Sequence, residues 1–154
     1  MQVYIFRHAR ADFGSKNEDP PISEEGEAEA SKVIELASQR LGFRPTAIVS
    51  SPVLRAKQTA EIAKKKLGLS SYMVDECLYG DAEPADVLKF LSTFKKDARV
   101  ALVSHMPLIF ELLYAMIGGR GEVELVNGSI AAVSFKGKAA EGRGKLLWLL
   151  QPGV

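Results

Sequence analysis

The chain has 154 residues, 47% of them hydrophobic, with twenty basic against nineteen acidic side chains, and this suits a single globular domain over 1–154. A net charge of +1 offers no basic face for nucleic acid, and no apolar run approaches the ~18 residues of a membrane span. The lone Cys77 excludes an intrachain disulfide and a cysteine-rich zinc site, and the apolar start Met1–Phe6 is too short for a signal peptide, so the expected location is the cytoplasm.

The apolar run Gln2–Phe6 predicts a strand covered on both faces. Ser23-Glu24-Glu25 predicts a helix start with a capping serine, an apolar stripe of Ala30, Val33, Ala37 and Leu41, and a stop at Gly42. Thr46–Val49 is a second buried strand. A helix begins near Pro52, with Val53, Ala56, Ala60, Ala63 and Leu67 inward and Gly68 as its end. Tyr72–Val74 is a weak third strand, followed by a helix from Pro84 to Phe94 with Val87, Leu88, Leu91 and Phe94 inward. Val100–Val103 is the clearest strand, and Pro107–Ile117 forms a helix stopped by Gly118-Gly119. Ser129–Phe135 and Leu146–Leu150 pair as an antiparallel edge hairpin, with Trp148 packed in the core. The expected fold is therefore an α/β three-layer sandwich, with a mostly parallel sheet and helices on both faces.

Both histidines of the sequence fall at strand ends: His8 directly after Gln2–Phe6 and Arg7, and His105 after Val100–Val103 and Ser104. The second strand ends in Ser50-Ser51-Pro52, with Arg55 one turn into the next helix. Ligands of parallel sheets bind beyond the carboxyl ends of the strands, and arginine presents a rigid fork to oxyanions. Two imidazoles and two guanidiniums there predict a phosphate or carboxylate site. Other phosphate chemistries lack their residues. The sequence has no Gly-Lys-Ser/Thr, no Asp-x-Asp, no arginine six positions after Cys77, and too few histidines for a two-metal cluster. A histidine nucleophile remains.

Arg7-His8-Ala9 resembles the Arg-His-Gly signature of the histidine phosphatase superfamily, the phosphoglycerate mutase-like fold. Ser51-Pro52-Val53-Leu54-Arg55-Ala56-Lys57-Gln58-Thr59-Ala60 and Ser104-His105-Met106-Pro107 are similar to its two further motifs, in the same order. Within the superfamily, the short chain and the Ser-His-x-Pro form resemble the SixA phosphohistidine phosphatase branch. The resemblance implies that His8 is the nucleophile, that a phosphohistidine intermediate forms on it, and that Arg7, Arg55 and His105 bind the phosphoryl group. It implies no metal or other cofactor, because the arginines supply the cationic charge, to which a protonated His105 would add. The implied partner is a phosphorylated protein, such as a histidine-containing phosphotransfer domain, or a small phosphorylated metabolite.

Mutases and many phosphomonoesterases of the superfamily carry a glutamate proton donor in a Leu-x-Glu pattern, where this chain has Leu78-Tyr79-Gly80. Such a donor contributes about 10²–10⁴ in rate. It matters for an alkoxide leaving group and much less for an imidazole, whose pKa is roughly nine units lower than that of water. The missing acid therefore favours phosphohistidine as substrate. Asp81, Glu83 or Glu76 is an alternative donor in the same loop, which would make the protein a small-molecule phosphomonoesterase. Ala9 replaces the signature glycine, where a methyl would crowd the site or shift the loop; the alternative this leaves is a catalytically weakened phosphate-binding module. Pro20 stands where the family has an arginine, a charge that Arg10 or Lys16 would replace. Ser129 is a further candidate contact to substrate. Lys64-Lys65-Lys66 and Lys95-Lys96 are expected to be solvated helix faces, and Cys77 to be inert.

Overall fold

A computed structural model describes residues 1–119 and 123–153. The chain forms β1 (Gln2–Arg7), α1 (Glu24–Arg40), β2 (Ala47–Ser50), α2 (Leu54–Leu67), β3 (Met73–Val74), a 3-10 turn at Glu76–Leu78, α3 (Pro84–Leu91), β4 (Arg99–Ser104), α4 (Leu108–Ile117), β5 (Ile130–Ser134) and β6 (Lys145–Leu150). One six-stranded sheet has the order β3-β2-β4-β1-β5-β6. The first four of these strands are parallel, while β5 and β6 run antiparallel. This is the mostly parallel sandwich with an edge hairpin that the sequence predicts. No helix of the described residues is long and apolar enough to cross a membrane.

The two-residue period of β1 divides the core. Tyr4 and Phe6 face α1 and α2, packing with Val33, Ile34, Ala37, Ala56, Ala60 and Ala63. Val3 and Ile5 face α3 and α4, packing with Val87, Leu91, Leu108, Leu112 and Met116. Burial of each large aliphatic side chain in these layers contributes about 1.5–3 kcal/mol. Alanine at three inward positions of α2 lets that helix lie close against the sheet.

Ser23 caps α1 as its sequence predicts, its hydroxyl accepting the Gly26 N–H at 3.0 Å and donating to the Arg10 carbonyl at 3.2 Å. A Cβ on Gly26 would stand 2.2 Å from that same carbonyl, so only glycine lets α1 seat against the loop that follows β1.

Several boundaries differ from expectation. Leu41 is not inward: α1 has ended at Arg40, Gly42 turns the chain at φ 72°, and Leu41 is 37% exposed. Pro52 stands ahead of α2 rather than inside it, because Val53 is the residue that caps the helix. The third helix stops at Leu91 rather than Phe94. Ser92 and Thr93 donate their hydroxyls back to the Lys89 and Phe90 carbonyls, and this closes a turn instead of another helical rung. Trp148 is half-buried rather than enclosed, tilted against Tyr4 at 6.2 Å between ring centres.

Candidate active site

The sheet order sets β4 between β1 and β2, so three strand ends abut at one place. The His8 N–H donates to the Ser104 carbonyl at 3.0 Å, and the Ser51 N–H to the Val103 carbonyl at 3.0 Å. The rings of His8 and His105 lie 4.9 Å apart, each residue 5% exposed. Arg55, in the first turn of α2, reaches back so that its Nε–H donates to His8 Nε2 at 3.3 Å.

The His8 tautomer follows from its partners. Nδ1 lies 2.7 Å from the Ala9 carbonyl, which can only accept, so Nδ1 carries the proton. Nε2 therefore presents a lone pair, and a lone pair is what the Arg55 N–H requires. Burial is the main cause that lowers the His8 pKa, to about 4, with Arg55 and Arg7 adding to it against the Ala9 hydrogen bond. Burial likewise dominates for His105, lowered to about 3, with His8 and both arginines contributing. Both imidazoles are thus neutral at pH 7. The expectation of a protonated His105 as a third cation does not hold here, because burial disfavours its charged form and His8 and the two guanidiniums add to that.

Arg7 donates from Nη1 to the Leu125 carbonyl at 2.6 Å, while its buried Nε has no protein partner among the described residues. Burial lowers its pKa from the ordinary arginine value, yet a guanidinium remains a cation at any working pH. His105 Nε2 lies 2.5 Å from the Ser51 hydroxyl, and its buried Nδ1 is likewise without a protein partner. Two orphaned polar atoms beside a lone-pair nitrogen fit an anion with acceptor oxygens. Among the described residues, no group of three or more His, Cys, Asp or Glu side chains is placed to hold a metal ion.

The main chain at the site is held on every side. The Arg7 N–H donates to the Ser129 carbonyl at 3.0 Å, and the Gly128 N–H donates to the Arg7 and His8 carbonyls at 3.2 and 3.1 Å. Asn127 Nδ2 donates to the His8 carbonyl at 3.3 Å, and the Ala9 N–H to the Thr59 hydroxyl at 2.9 Å. Thr59 in turn donates to the Arg55 carbonyl at 2.8 Å, stitching the loop to α2. Ala9 is buried, and no non-glycine residue among those described has a positive φ, so alanine fits here without the left-handed backbone that favours glycine.

The remaining candidates lie outside this cluster. Arg10 forks onto Glu25 and Glu29 of α1, both at 3.3 Å. Lys16 is exposed in the loop between β1 and α1. Ser129 is fully buried and donates its hydroxyl to the Val126 carbonyl at 2.7 Å, which makes it a support for β1 rather than an open contact. Asp81 and Glu83 are both exposed, just beyond Gly80. Gly80 itself presses on the site: a Cβ there would stand 2.9 Å from the Met106 carbonyl and 3.3 Å from His105 Cβ. Burial and the neighbouring Asp75 push the Cys77 thiol up to about 12, so it stays protonated at neutral pH. Thr59 and Asn127 are site residues that composition and motif chemistry alone do not single out. The signal for Thr59 is its position, a hydroxyl on the inward alanine stripe of α2.

Neutral burial of both histidines has a measurable consequence. The unfolded chain binds protons at pKa near 6.5, while the folded protein resists them until about 4 and about 3. The unfolded state therefore holds more protons below 6.5, and stability falls as pH is lowered through that window. Denaturant titrations from pH 7 to 4 are expected to show wild type losing on the order of a few kcal/mol more than a His8→Asn/His105→Asn variant. Parallel curves for the two proteins would contradict neutral burial.

A family model described as histidine phosphatase superfamily (branch 1) matches residues 3–83. An uncharacterized protein of Picosynechococcus is 33% identical over 130 residues, covering 78% of this chain and 75% of its own. The structure of the protein histidine phosphatase SixA complexed with tungstate superposes with a TM-score of 0.87 at 26% identity, over 99% of this chain and 97% of that one. The putative phosphohistidine phosphatase SixA from Agrobacterium tumefaciens gives 0.79 at 26% identity, with 98% of each chain covered. With its motifs gathered at three adjoining strand ends, the chain belongs to the histidine phosphatase superfamily, branch 1, and is a phosphatase of the SixA-like kind.

Proposed function

We propose that this phosphatase acts through His8 on phosphohistidine carried by a partner protein, working in the cytoplasm as a single domain. The observation that carries the reading is the locked His8 ring: Nδ1–H on the Ala9 carbonyl, and the Nε2 lone pair facing the Arg55 guanidinium. In the first step Nε2 attacks phosphorus and the bond from phosphorus to the substrate ring breaks. That ring bears its own proton on its second nitrogen and departs as neutral imidazole. In the second step water attacks the phosphoryl group on His8, inorganic phosphate leaves, and the neutral imidazole is restored. Arg7, Arg55 and His105 hold the equatorial oxygens, where positioned positive charge and hydrogen bonds contribute most of the rate in phosphoryl transfer. The two guanidiniums supply the positive charge and neutral His105 a hydrogen bond, a set that works without calling on a metal.

The leaving-group argument rests on Gly80. A carboxylate side chain at that position would require the His105–Met106 turn to move, because even a Cβ meets the Met106 carbonyl at 2.9 Å. Without a built donor, imidazole departs far more readily than an alkoxide. Large apolar side chains support a macromolecular substrate. Phe13 is 70% exposed with Arg55 5.7 Å from its ring centre, and Tyr79 and Met106 are exposed beside Gly80 and His105.

A second reading has an observation of its own: Asp81 and Glu83 are exposed carboxylates immediately after Gly80, open to act as donor toward a small phosphate ester.

The test compares a phosphorylated phosphotransfer domain with para-nitrophenyl phosphate and sugar phosphates. The expected outcome is kcat/KM at least ~10²-fold higher for the protein substrate, with Asp81→Asn and Glu83→Gln each changing turnover less than about threefold. Collapse of efficient ester turnover in either variant would establish the second reading instead.

A further inference from the structure

His105 can touch a ligand only with a nitrogen that the protein leaves free. Its Nε2 is engaged by the Ser51 hydroxyl at 2.5 Å, and its buried Nδ1 has no protein partner among the described residues. Which nitrogen carries the proton depends on Ser51. That side chain is fully buried, and its oxygen already accepts the Val53 N–H at 3.2 Å. Its hydroxyl proton needs an acceptor, and among the described residues the one it meets is His105 Nε2.

We propose that Ser51 is a positioning residue that fixes the tautomer of His105, donating to Nε2 so that Nδ1 carries the proton and offers an N–H to a phosphoryl oxygen. The opposite tautomer would turn a lone pair toward the anion and repel it. The assignment rests on the reading that His105 holds the phosphoryl group, and it gives that residue a task in its neutral form. His105 acts as a hydrogen-bond donor of fixed direction, while the arginines supply the charge. Groups that fix the tautomer of a metal-bound imidazole in this way are worth about 10–100-fold in function when removed, and the same scale is expected here. The same logic applies to His8, whose Nδ1–H is fixed by the Ala9 carbonyl. The two rings thus share one tautomer through opposite devices, an acceptor on Nδ1 for His8 and a donor on Nε2 for His105.

The test is ¹⁵N NMR of the imidazoles in unliganded protein, with kinetics alongside. Wild type is expected to show neutral His105 protonated at Nδ1. In Ser51→Ala the Nε2–H form should appear, and kcat should fall about 10–100-fold with a much smaller change in KM. Ser51→Thr keeps the hydroxyl and is expected to restore the Nδ1–H form. Nε2–H in wild type, or unaltered Nδ1–H in Ser51→Ala, overturns the proposal. The wild-type spectrum decides the tautomer even where a variant fails to fold. A tautomer that follows Ser51 while turnover stays constant overturns the positioning role and points to a site where His105 does not hold phosphate. Phosphate trapped on His8 would still stand in that case, so the two failures are distinguishable.

Discussion

Replacing His8 by alanine is expected to abolish turnover, by more than about 10⁴-fold, while the protein remains folded. The ring makes two hydrogen bonds, donating to the Ala9 carbonyl and accepting from the Arg55 Nε–H, so its loss costs on the order of 2 kcal/mol of stability. The chemistry has no substitute. His105 Nε2 is occupied by Ser51, and a water attacking without a covalent intermediate would face the whole barrier in one step. Brief incubation of wild type with labelled substrate, followed by alkaline quench and peptide mapping, should place acid-labile phosphate on His8 and nowhere on His8→Ala. The pH profile carries the same information. With His8 held to about 4, the nucleophile is already neutral at pH 5, so kcat/KM should keep its plateau well below 6.5 and fall only near 4. An acid limb centred near 6.5, or substantial turnover by His8→Ala, would remove His8 from the nucleophile's role.

The second large effect is expected at Arg55. Arg55→Ala should lower kcat/KM by about 10³-fold or more, the scale on which a single arginine stabilises a transferring phosphoryl group. Arg55→Lys should recover little, because an ammonium cannot donate two parallel bonds from one plane and would not reproduce the Nε–H contact to His8 Nε2. Arg55 is also one of the charges that lower the His8 pKa. Its removal should therefore move the acid limb of the profile upward, toward 6.5. A variant that lost rate without that upward move would show Arg55 acting on substrate alone. Full rescue by lysine would argue against a directional role.

The strand framework was legible because β1 and β4 are buried on both faces, and such strands read as unbroken apolar runs such as Val100–Val103. The cap at Ser23 and the motif histidines were legible for a related reason: each is a residue type whose chemistry has few uses at a strand end or helix start. What escaped was set by partners far away in sequence. Arg10 carries a charge suited to phosphate, yet Glu25 and Glu29, one helical turn apart on α1, capture it first. Ser129 has a hydroxyl near the site, but a carbonyl three residues back already accepts it. Thr59 and Ser51 are the reverse case: small hydroxyls whose importance appears only once helix α2 delivers one beside the loop after β1 and strand β2 delivers the other beside His105. The end of α3 turned on two side-chain hydroxyls competing with the helix, a contest that apolar periodicity does not register.

The dense anchoring of residues 7–9 has one more consequence. Ser104, Thr59, Asn127, Gly128 and Ser129 together engage the amides and carbonyls flanking His8, from the neighbouring strand, the helix behind it and the turn before the hairpin. A scaffold tied from three directions leaves little room to shift, so the proposed covalent phosphate on His8 is expected to leave its path unaltered. Under the proposed mechanism the phosphorylated and free forms would then share one backbone outline, and a partner would tell them apart by the phosphate itself.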